Sequence, residues 1–176
     1  MISNATGLQV SDRANIVMRV LSAISACGVK RVLMMPEKGG IIRLLKRDLQ
    51  RYQQMGNNRF PELEMTDTPI SGTVDDTFAA TKAMVDSGVK TIVVLGGDGT
   101  HRAVAKVCGQ VPIAGISTGT NNAFPEHREP TITGLAVGLA ATGRIPESVA
   151  FTFNKLLCVK INDGERSDIA LVDVVV

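Results

Sequence analysis

The stretch TIVVLGGDGT, residues 91–100, decides the fold of this chain. Its first five residues are β-branched or leucine, a run typical of a parallel strand that is buried on both faces. The glycine-rich segment GGDGT follows at once, and residues 101–108 then have the spacing of a helix. A buried strand, a glycine turn and a helix in this order indicate one βα unit of an α/β fold.

The segments on both sides of this unit alternate in the same way. Apolar residues recur at helical spacing in some segments and form short runs in others, with glycine or proline at the boundaries. The pattern predicts helices over residues 11–26, 41–54, 73–85 and 131–141 and strands over residues 32–35, 63–65 and 112–116. We therefore expect residues 1–147 to form a three-layer, Rossmann-like α/β domain with a mostly parallel sheet.

The pattern changes after residue 147. Residues 151–153, 156–161 and 169–176 alternate or run apolar, and the segment NDG at residues 162–164 predicts a hairpin turn. We interpret residues 148–176 as the beginning of a β-rich second domain, an incomplete β-sandwich. The sequence ends in three valines, which would leave a sticky strand edge, so we expect the chain to be truncated there.

Charge and composition exclude several classes of function. The 19 basic and 17 acidic residues leave a net charge of +2, too little for a broad face that binds nucleic acid. With no Trp, one Tyr and five Phe, the chain lacks stacking platforms for single strands. No apolar run is long enough to span a membrane. Cys27, Cys108 and Cys158 lie in apolar contexts, which predicts buried free thiols and a cytoplasmic location.

The glycine-rich segment has the features of a phosphate-binding loop. Ligands of open parallel sheets bind beyond the C-terminal ends of the strands. There, Gly96, Gly97 and Gly99 would let backbone N–H groups approach a phosphate closely, and Thr100 is placed to cap the next helix. Asp98 would repel phosphate unless it holds Mg²⁺ or takes a proton from an attacking hydroxyl. A purely structural Asp in a tight turn is the alternative.

A second polar loop follows the strand predicted at residues 112–116. Its uncharged hydroxyl and amide groups suit ribose, base edges or phosphate oxygens, although such groups also favour turns and helix caps. They belong to Ser117, Thr118, Thr120, Asn121 and Asn122. Because both loops follow parallel strands, we expect them to converge on one crevice. For His101 we expect a surface or capping role, with phosphate contact as the alternative.

Two other charged groups have simpler interpretations. Thr73 and Asp76 form a capping-box pattern, so we expect Asp75 and Asp76 to serve a helix end rather than catalysis. One face of the helix predicted at residues 41–54 is basic and carries Lys46, Arg47 and Arg51. We interpret this face as solvated, with phosphate binding as the alternative.

Two segments resemble those of a known superfamily. The segment LGGDGT at residues 95–100 resembles the signature of the NAD kinase and diacylglycerol kinase superfamily. The segment GISTGTNNAFPE at residues 115–126 is similar to that of its acetoin-catabolism protein X branch, which is ATP-NAD kinase-like. The resemblance extends from about Ser11 to the C-terminus. It implies a kinase-type domain that uses ATP and Mg²⁺, with NAD as a possible substrate.

The resemblance also implies roles for individual residues. Asp98 would be the catalytic residue that activates the acceptor hydroxyl, or it would hold Mg²⁺. Nucleotide phosphates would bind at Gly96, Gly97, Gly99 and Thr100. Ribose or base would be positioned by Thr118, Gly119, Thr120, Asn121 and Asn122. We expect nucleotides as small-molecule partners, no nucleic acid, and a homo-oligomer.

The leading reaction by this resemblance is phosphoryl transfer from ATP to the 2′-hydroxyl of NAD. A diacylglycerol-type lipid kinase is the first alternative, because the segment TGTN at residues 118–121 resembles the TGND loop of lipid kinases. Asn122 stands where those kinases commonly have an acid. The second alternative is a nucleotide-binding accessory protein without turnover. Family members begin with a further strand and its NPxSG-type loop, and they continue into a β-sandwich, so we expect this chain alone to be inactive.

Overall fold

Helices and strands alternate along the chain. The computed structural model describes residues 8–56, 59–119, 122–162 and 166–174. The elements are α1 Val10–Ala26, β1 Arg31–Met34, α2 Ile41–Gln54, β2 Glu62–Met65, α3 Val74–Asp86, β3 Ile92–Gly96, α4 Asp98–Val107, β4 Ile113–Ser117, α5 Pro130–Ala141, α6 Glu147–Ala150, β5 Leu157–Ile161 and β6 Arg166–Ala170. This mixed α/β organisation confirms the predicted fold class.

Local capping sets the start of α3. Thr73 is its N-cap, and the Thr73 hydroxyl oxygen accepts a hydrogen bond from the N–H of Asp75 at 3.2 Å. The Asp76 carboxylate turns back to accept the hydroxyl and N–H of Ser71 and the N–H of Gly72, each at 2.7 Å. These bonds, with the Ser71 hydroxyl first, lower the pKa of Asp76. The prediction that Asp75 and Asp76 serve a helix end is confirmed.

Within the described residues the strands pair in three two-stranded sheets. Strands β1 and β2 are parallel, with Arg31 opposite Glu62, and strands β3 and β4 are parallel, with Ile92 opposite Ile113. Strands β5 and β6 form an antiparallel pair. Parallel pairing therefore dominates as predicted, but the four parallel strands form two small sheets rather than one. The three-layer arrangement remains a prediction.

Strand β3 is packed on both faces. On one side, Val93 and Leu95 pack against the cluster of buried side chains that α1, α2 and β4 supply. On the other side, Ile92 and Val94 pack with Val104 of α4 and with Cys108. Alternating side chains of a strand point to opposite faces, so β3 contributes to two cores at once. This arrangement confirms the prediction made from the unbroken apolar run.

Helices α1 and α5 cross closely through two glycines of α5. A Cβ added at Gly134 would lie 2.8 Å from the backbone oxygen of Val20. A Cβ at Gly138 would lie 2.7 Å from the Cβ of Cys27. Since real Cβ atoms do not approach backbone or packed atoms this closely, the crossing requires residues without a side chain.

Cys27 and Cys108 are buried free thiols, as predicted.

The C-terminal segment departs from the predictions in three respects. Residues 151–156 have no regular structure. The last strand of the described residues covers 166–170, whereas an apolar run was predicted over 169–176, of which residues 175 and 176 lie outside the described part. Cys158, predicted to be buried, is exposed because its two-stranded hairpin leaves both faces largely uncovered. Asn162 has the left-handed conformation expected of the predicted turn, with φ 52°, while Asp163 and Gly164 lie outside the described residues. In the part of the chain described, no helix is long and apolar enough to cross a bilayer.

Candidate functional site

The GGDGT segment forms the end of β3 and the first turn of α4. Gly97 is the N-cap with an extended backbone, and its carbonyl oxygen accepts hydrogen bonds from the N–H groups of Thr100 and His101, both at 3.1 Å. The helix thus begins at Asp98, three residues earlier than predicted. Thr100 is therefore not the cap, because it already lies in the third helical position. Its side chain instead lies against Gly96, where an added Cβ would be 2.7 Å away.

The loop after β4 lies directly against this turn. The N–H of Thr118 donates to the carbonyl oxygen of Gly96 at 3.4 Å. The Asn122 amide lies beside Gly97 and Gly119, where an added Cβ would come within 2.6 Å of it. Asn122 also donates through Nδ2 to the hydroxyl of Ser117 at 2.9 Å. The two loops therefore converge as expected, and in this structure the space that two glycines leave open is filled by an amide.

Asp98 links the two loops. Its Oδ1 accepts the backbone N–H of Phe124 at 2.9 Å, and its Oδ2 accepts that of Ala123 at 3.0 Å. A carboxylate oxygen has two lone pairs, so each oxygen keeps one for a further partner. Magnesium is usually bound by one or two carboxylates together with substrate phosphates and water. Asp98 fits that donor set, although the described residues contain no group of three or more potential metal ligands.

Of the predicted site residues, Thr120 and Asn121 lie outside the described residues. The others fall into two groups. Gly96, Gly97, Asp98, Gly99 and Thr100 lie on the β3–α4 side, and Thr118, Gly119 and Asn122 lie on the β4 side. Their roles toward phosphate, ribose and base remain predictions.

His101 is buried behind the glycine turn. Its ring is fully inaccessible to solvent, and Nδ1 lies 2.9 Å from the carbonyl oxygen of Gly97. Burial lowers the pKa of His101 more than Gly97 and Asp98 raise it, so the ring is neutral near pH 7. A carbonyl oxygen only accepts, so Nδ1 carries the proton and donates. The expected surface position is therefore wrong, because the first turn of α4 directs the ring into the interior.

Nε2 of His101 faces Gly115 of β4. A Cβ added at Gly115 would lie 2.6 Å from this nitrogen, and Nε2 has no hydrogen-bond partner among the residues described. The ring also contacts the side chain of Phe124, with centroids 5.8 Å apart. Strand β4 and helix α4 therefore fit together only around a glycine. His101 therefore supports the glycine turn from behind.

The β5–β6 hairpin lies against α4 through Asp168. The Asp168 carboxylate accepts from Arg102 at 2.8 Å and from Lys106 at 3.1 Å. The N–H of Ile169 first, then Lys106 and Arg102, hold the pKa of Asp168 well below its ordinary range. Sequence reasoning missed this contact, because 66 residues separate Arg102 from Asp168.

The docked hairpin closes a small cleft at the start of α4. The cleft has a volume of about 230 Å³ and is lined by Asp98, Gly99, Arg102 and residues 170–173. It combines a helix N-terminus and an Arg guanidinium, which attract anions, with a carboxylate, which can accept a proton or hold a cation. These are the groups that phosphoryl transfer needs.

Comparison with known proteins decides the family. Residues 1–145 match the ATP-NAD kinase N-terminal domain. The chain belongs to the ATP-NAD kinase family. It is also 55% identical, over its whole length, to the acetoin catabolism protein X of Cupriavidus necator, and it spans half the length of that protein. The superfamily and branch predicted from the two loop segments are thereby confirmed. No solved structure matches this ATP-NAD kinase domain.

Proposed function

We propose that this chain is the nucleotide-binding part of an ATP-dependent kinase that transfers a phosphoryl group to a hydroxyl. The observation that carries the proposal is the position of Asp98. It opens α4 between two glycines, within hydrogen-bond distance of the loop after β4. Membership of the ATP-NAD kinase family supports the same reaction class. We propose NAD as the acceptor, phosphorylated at its 2′-hydroxyl.

In such a reaction the two loops would bind different parts of the nucleotide. Nucleotide phosphates would bind at the backbone of Gly96, Gly97 and Gly99, beside Thr100, at the N-terminus of α4. Ribose or base would contact the loop after β4, through Thr118, Gly119, Thr120, Asn121 and Asn122. The Asn122 amide would have to move, because it fills the space beside Gly97.

Asp98 would act on the acceptor. As the acceptor oxygen attacks the γ-phosphorus, its proton would pass to a free lone pair of the Asp98 carboxylate while the bond to ADP breaks. Alternatively, the Asp98 carboxylate would hold Mg²⁺, which would supply positive charge to the nucleotide phosphates. Arg102, on the next turn of α4, lines the cleft and would add a fixed positive charge.

A specific observation favours a second candidate, a nucleotide-binding accessory protein without turnover. Both carboxylate oxygens of Asp98 already accept backbone N–H groups, so Asp98 has a structural task that does not require chemistry. Under this reading, Asp98→Asn would leave nucleotide binding intact and would change no rate. A diacylglycerol-type lipid kinase differs from the leading proposal only in its acceptor.

One assay separates these readings. The full-length protein, and not this chain alone, is incubated with γ-labelled ATP and Mg²⁺, and with either NAD or diacylglycerol in micelles. Label in NADP supports the proposal, and label in phosphatidic acid supports a lipid kinase. Label in neither, with ATP still raising the thermal midpoint, supports the accessory protein. A ligand at 100 times its Kd stabilises a protein by about 2.7 kcal/mol, so binding without turnover is measurable.

We also propose the coarser organisation expected from the sequence. The parallel pairs would form a three-layer domain over residues 1–147, and residues 148–176 would open a β-rich second domain. The antiparallel β5–β6 hairpin supports that change of architecture.

The buried free thiols of Cys27 and Cys108 suit a cytoplasmic location. A homo-oligomer is testable by light scattering on a sizing column.

A further inference from the structure

A second, larger concavity lies at the C-terminal ends of the other parallel pair, β1 and β2. It has a volume of about 780 Å³, and in the described part of the chain no residue that lines it also lines the cleft at Asp98. Four cationic side chains surround it, and we call it the basic cavity: Lys38, Arg43, Lys46 and Arg47. We propose that the basic cavity binds the phosphate groups of a small phosphorylated molecule, at a site separate from the proposed kinase cleft.

The charges in the basic cavity are poorly balanced. Among the described residues that line the cavity, Glu37 is the single acidic one, and the Glu37 Oε1 already accepts the N–H of Ile42 at 2.8 Å. Arg47 is paired with Asp48 at 3.1 Å. Arg43 and Lys46 form no ion pair within the described ranges, so the cavity carries excess positive charge. The Glu37 carboxylate occupies the N-terminus of α2, so the basic side chains, and not the helix end, would hold an anion.

The cations are also placed where they repel one another. Arg43, Lys46 and Arg47 are spaced i, i+3 and i+4 on α2, so they lie on one helix face, and like charges at this spacing destabilise a helix. Arg51, which the sequence groups with Lys46 and Arg47, does not line the cavity. In the structure Arg43, Lys46 and Arg47 therefore converge on the cavity, whereas Arg51 is an ordinary exposed side chain outside it. An anion bound between them would relieve the repulsion.

The remaining lining indicates the class of ligand. Ile42, Met65 and Ile70 supply an apolar side to the cavity, and its volume lies in the range of small-molecule pockets. One or two phosphates would meet the basic side chains, while an uncharged portion would contact the apolar side. A soluble phosphorylated molecule fits this combination, and Arg in particular binds phosphate through two parallel hydrogen bonds.

The test is titration with inorganic pyrophosphate, followed by amide NMR. Gly39 and Gly40 line the cavity, and their N–H signals report on it directly. We expect pyrophosphate to shift both signals in the wild-type protein and in the control R51A, which removes a cation of the same helix outside the cavity. The double variant R43A/K46A should bind at least tenfold more weakly. If truncation to alanine disturbs folding, R43Q/K46Q replaces that variant, because it removes the charges and keeps the aliphatic stems. It should bind pyrophosphate equally weakly.

Three results would overturn the proposal. The first is the absence of any shift at Gly39 and Gly40 in the wild-type protein. The second is an equal response in R43A/K46A, and the third is binding to anionic phosphatidylglycerol vesicles but not to pyrophosphate. Asp98→Asn separates this site from the kinase proposal, since it should leave the response of Gly39 and Gly40 unchanged whatever its effect on phosphoryl transfer.

Discussion

The carboxylate of Asp98 accepts the backbone N–H of Phe124 at 2.9 Å, across 26 residues of sequence. Asp98, to which the family resemblance assigns a catalytic role, is thus also a structural link between two loops. Substitutions at Asp98 will therefore change stability as well as any activity, and the two effects have to be measured separately.

Replacement of Asp98 by alanine should destabilise the domain. It leaves the N–H groups of Ala123 and Phe124 without their acceptor, and since the former is exposed to water we expect a loss of about 1–2 kcal/mol. Chemical denaturation measures this, and amide exchange at both positions should quicken. Asp67→Ala, at an exposed loop position, is the control and should change stability by less than about 0.5 kcal/mol. Equal stability of D98A and wild type would show that the link is not formed in solution.

Two glycines near the site should respond to alanine in opposite directions. At Gly115 the new Cβ would meet the fully buried ring of His101 at 2.6 Å, so G115A should cost about 1–3 kcal/mol. At Gly99, within α4, an added Cβ meets no atom of the described residues within 4 Å, so G99A should stabilise the helix by about 0.5–1 kcal/mol. Denaturation midpoints of the two variants provide the comparison. Equal effects at both positions would contradict the close fit of His101 against β4.

The crossing of α1 and α5 should tolerate no side chain at Gly134. A Cβ there would lie 2.8 Å from the backbone oxygen of Val20, which cannot move without shifting α1. We expect G134A to lower the unfolding free energy by about 1–3 kcal/mol. The substitution A136S, at an exposed position of the same helix, is the matched control and should be within about 0.5 kcal/mol of wild type. If both variants unfold at the same denaturant concentration, the helices do not cross as described.

Stability should fall as the pH drops below 6.5, because of His101. Burial lowers the pKa of His101 below the ordinary value of 6.5 in the folded protein. Below that pH the unfolded chain binds a proton that the folded chain does not, so the unfolding free energy decreases by at most about 1.4 kcal/mol per pH unit. The lowered pKa of Asp76 acts only below its ordinary value of 3.8, in a separate window. Denaturation of wild type and H101Q between pH 7 and pH 5 tests this, and parallel curves would refute it.

Loss of the charge at Asp168 should loosen the C-terminal hairpin. D168N removes the ion pairs with Arg102 and Lys106, so the hairpin should open more often and its amides should exchange faster than those of β3. Hydrogen exchange with mass spectrometry measures this. Lys160→Gln, on β5, changes a charge of the same hairpin outside this contact and serves as the control. Unchanged exchange in D168N would mean that the ion pairs do not hold the hairpin.

Much of the local structure was predictable from the sequence. Helix α2 has the predicted bounds, Ile41–Gln54, because amphipathic spacing and the Gly40 N-cap are local signals. The unbroken apolar run before Gly96 is also a local signal, and it predicted a strand that is buried on both faces. The start of α4 was predicted three residues late, because a glycine-rich segment can end a strand and begin a helix without any change in composition.

The burial of His101 and the exposure of Cys158 could not be predicted in this way. Whether a polar ring or a thiol meets solvent depends on which other elements cover it. Strand β4 and Phe124 cover His101, whereas the two-stranded hairpin leaves Cys158 uncovered. Strand β4 and Phe124 follow His101 only after the rest of α4, and the residues next to Cys158 do not show whether another element covers its hairpin. No local pattern therefore predicts either result.

The sequence by itself determined the family, the strand–turn–helix unit and the residue types available at its turn, because each of these depends on neighbours along the chain. Tertiary structure alone decided that Asp98 bonds to Ala123 and Phe124, and that Asn122 fills the space beside Gly97. It also decided that the cations of α2 converge on one cavity while Arg51 does not line it. The physical reason is that hydrogen bonds and charge–charge interactions act over a few ångströms, and only folding brings residues that lie far apart in the chain within that range.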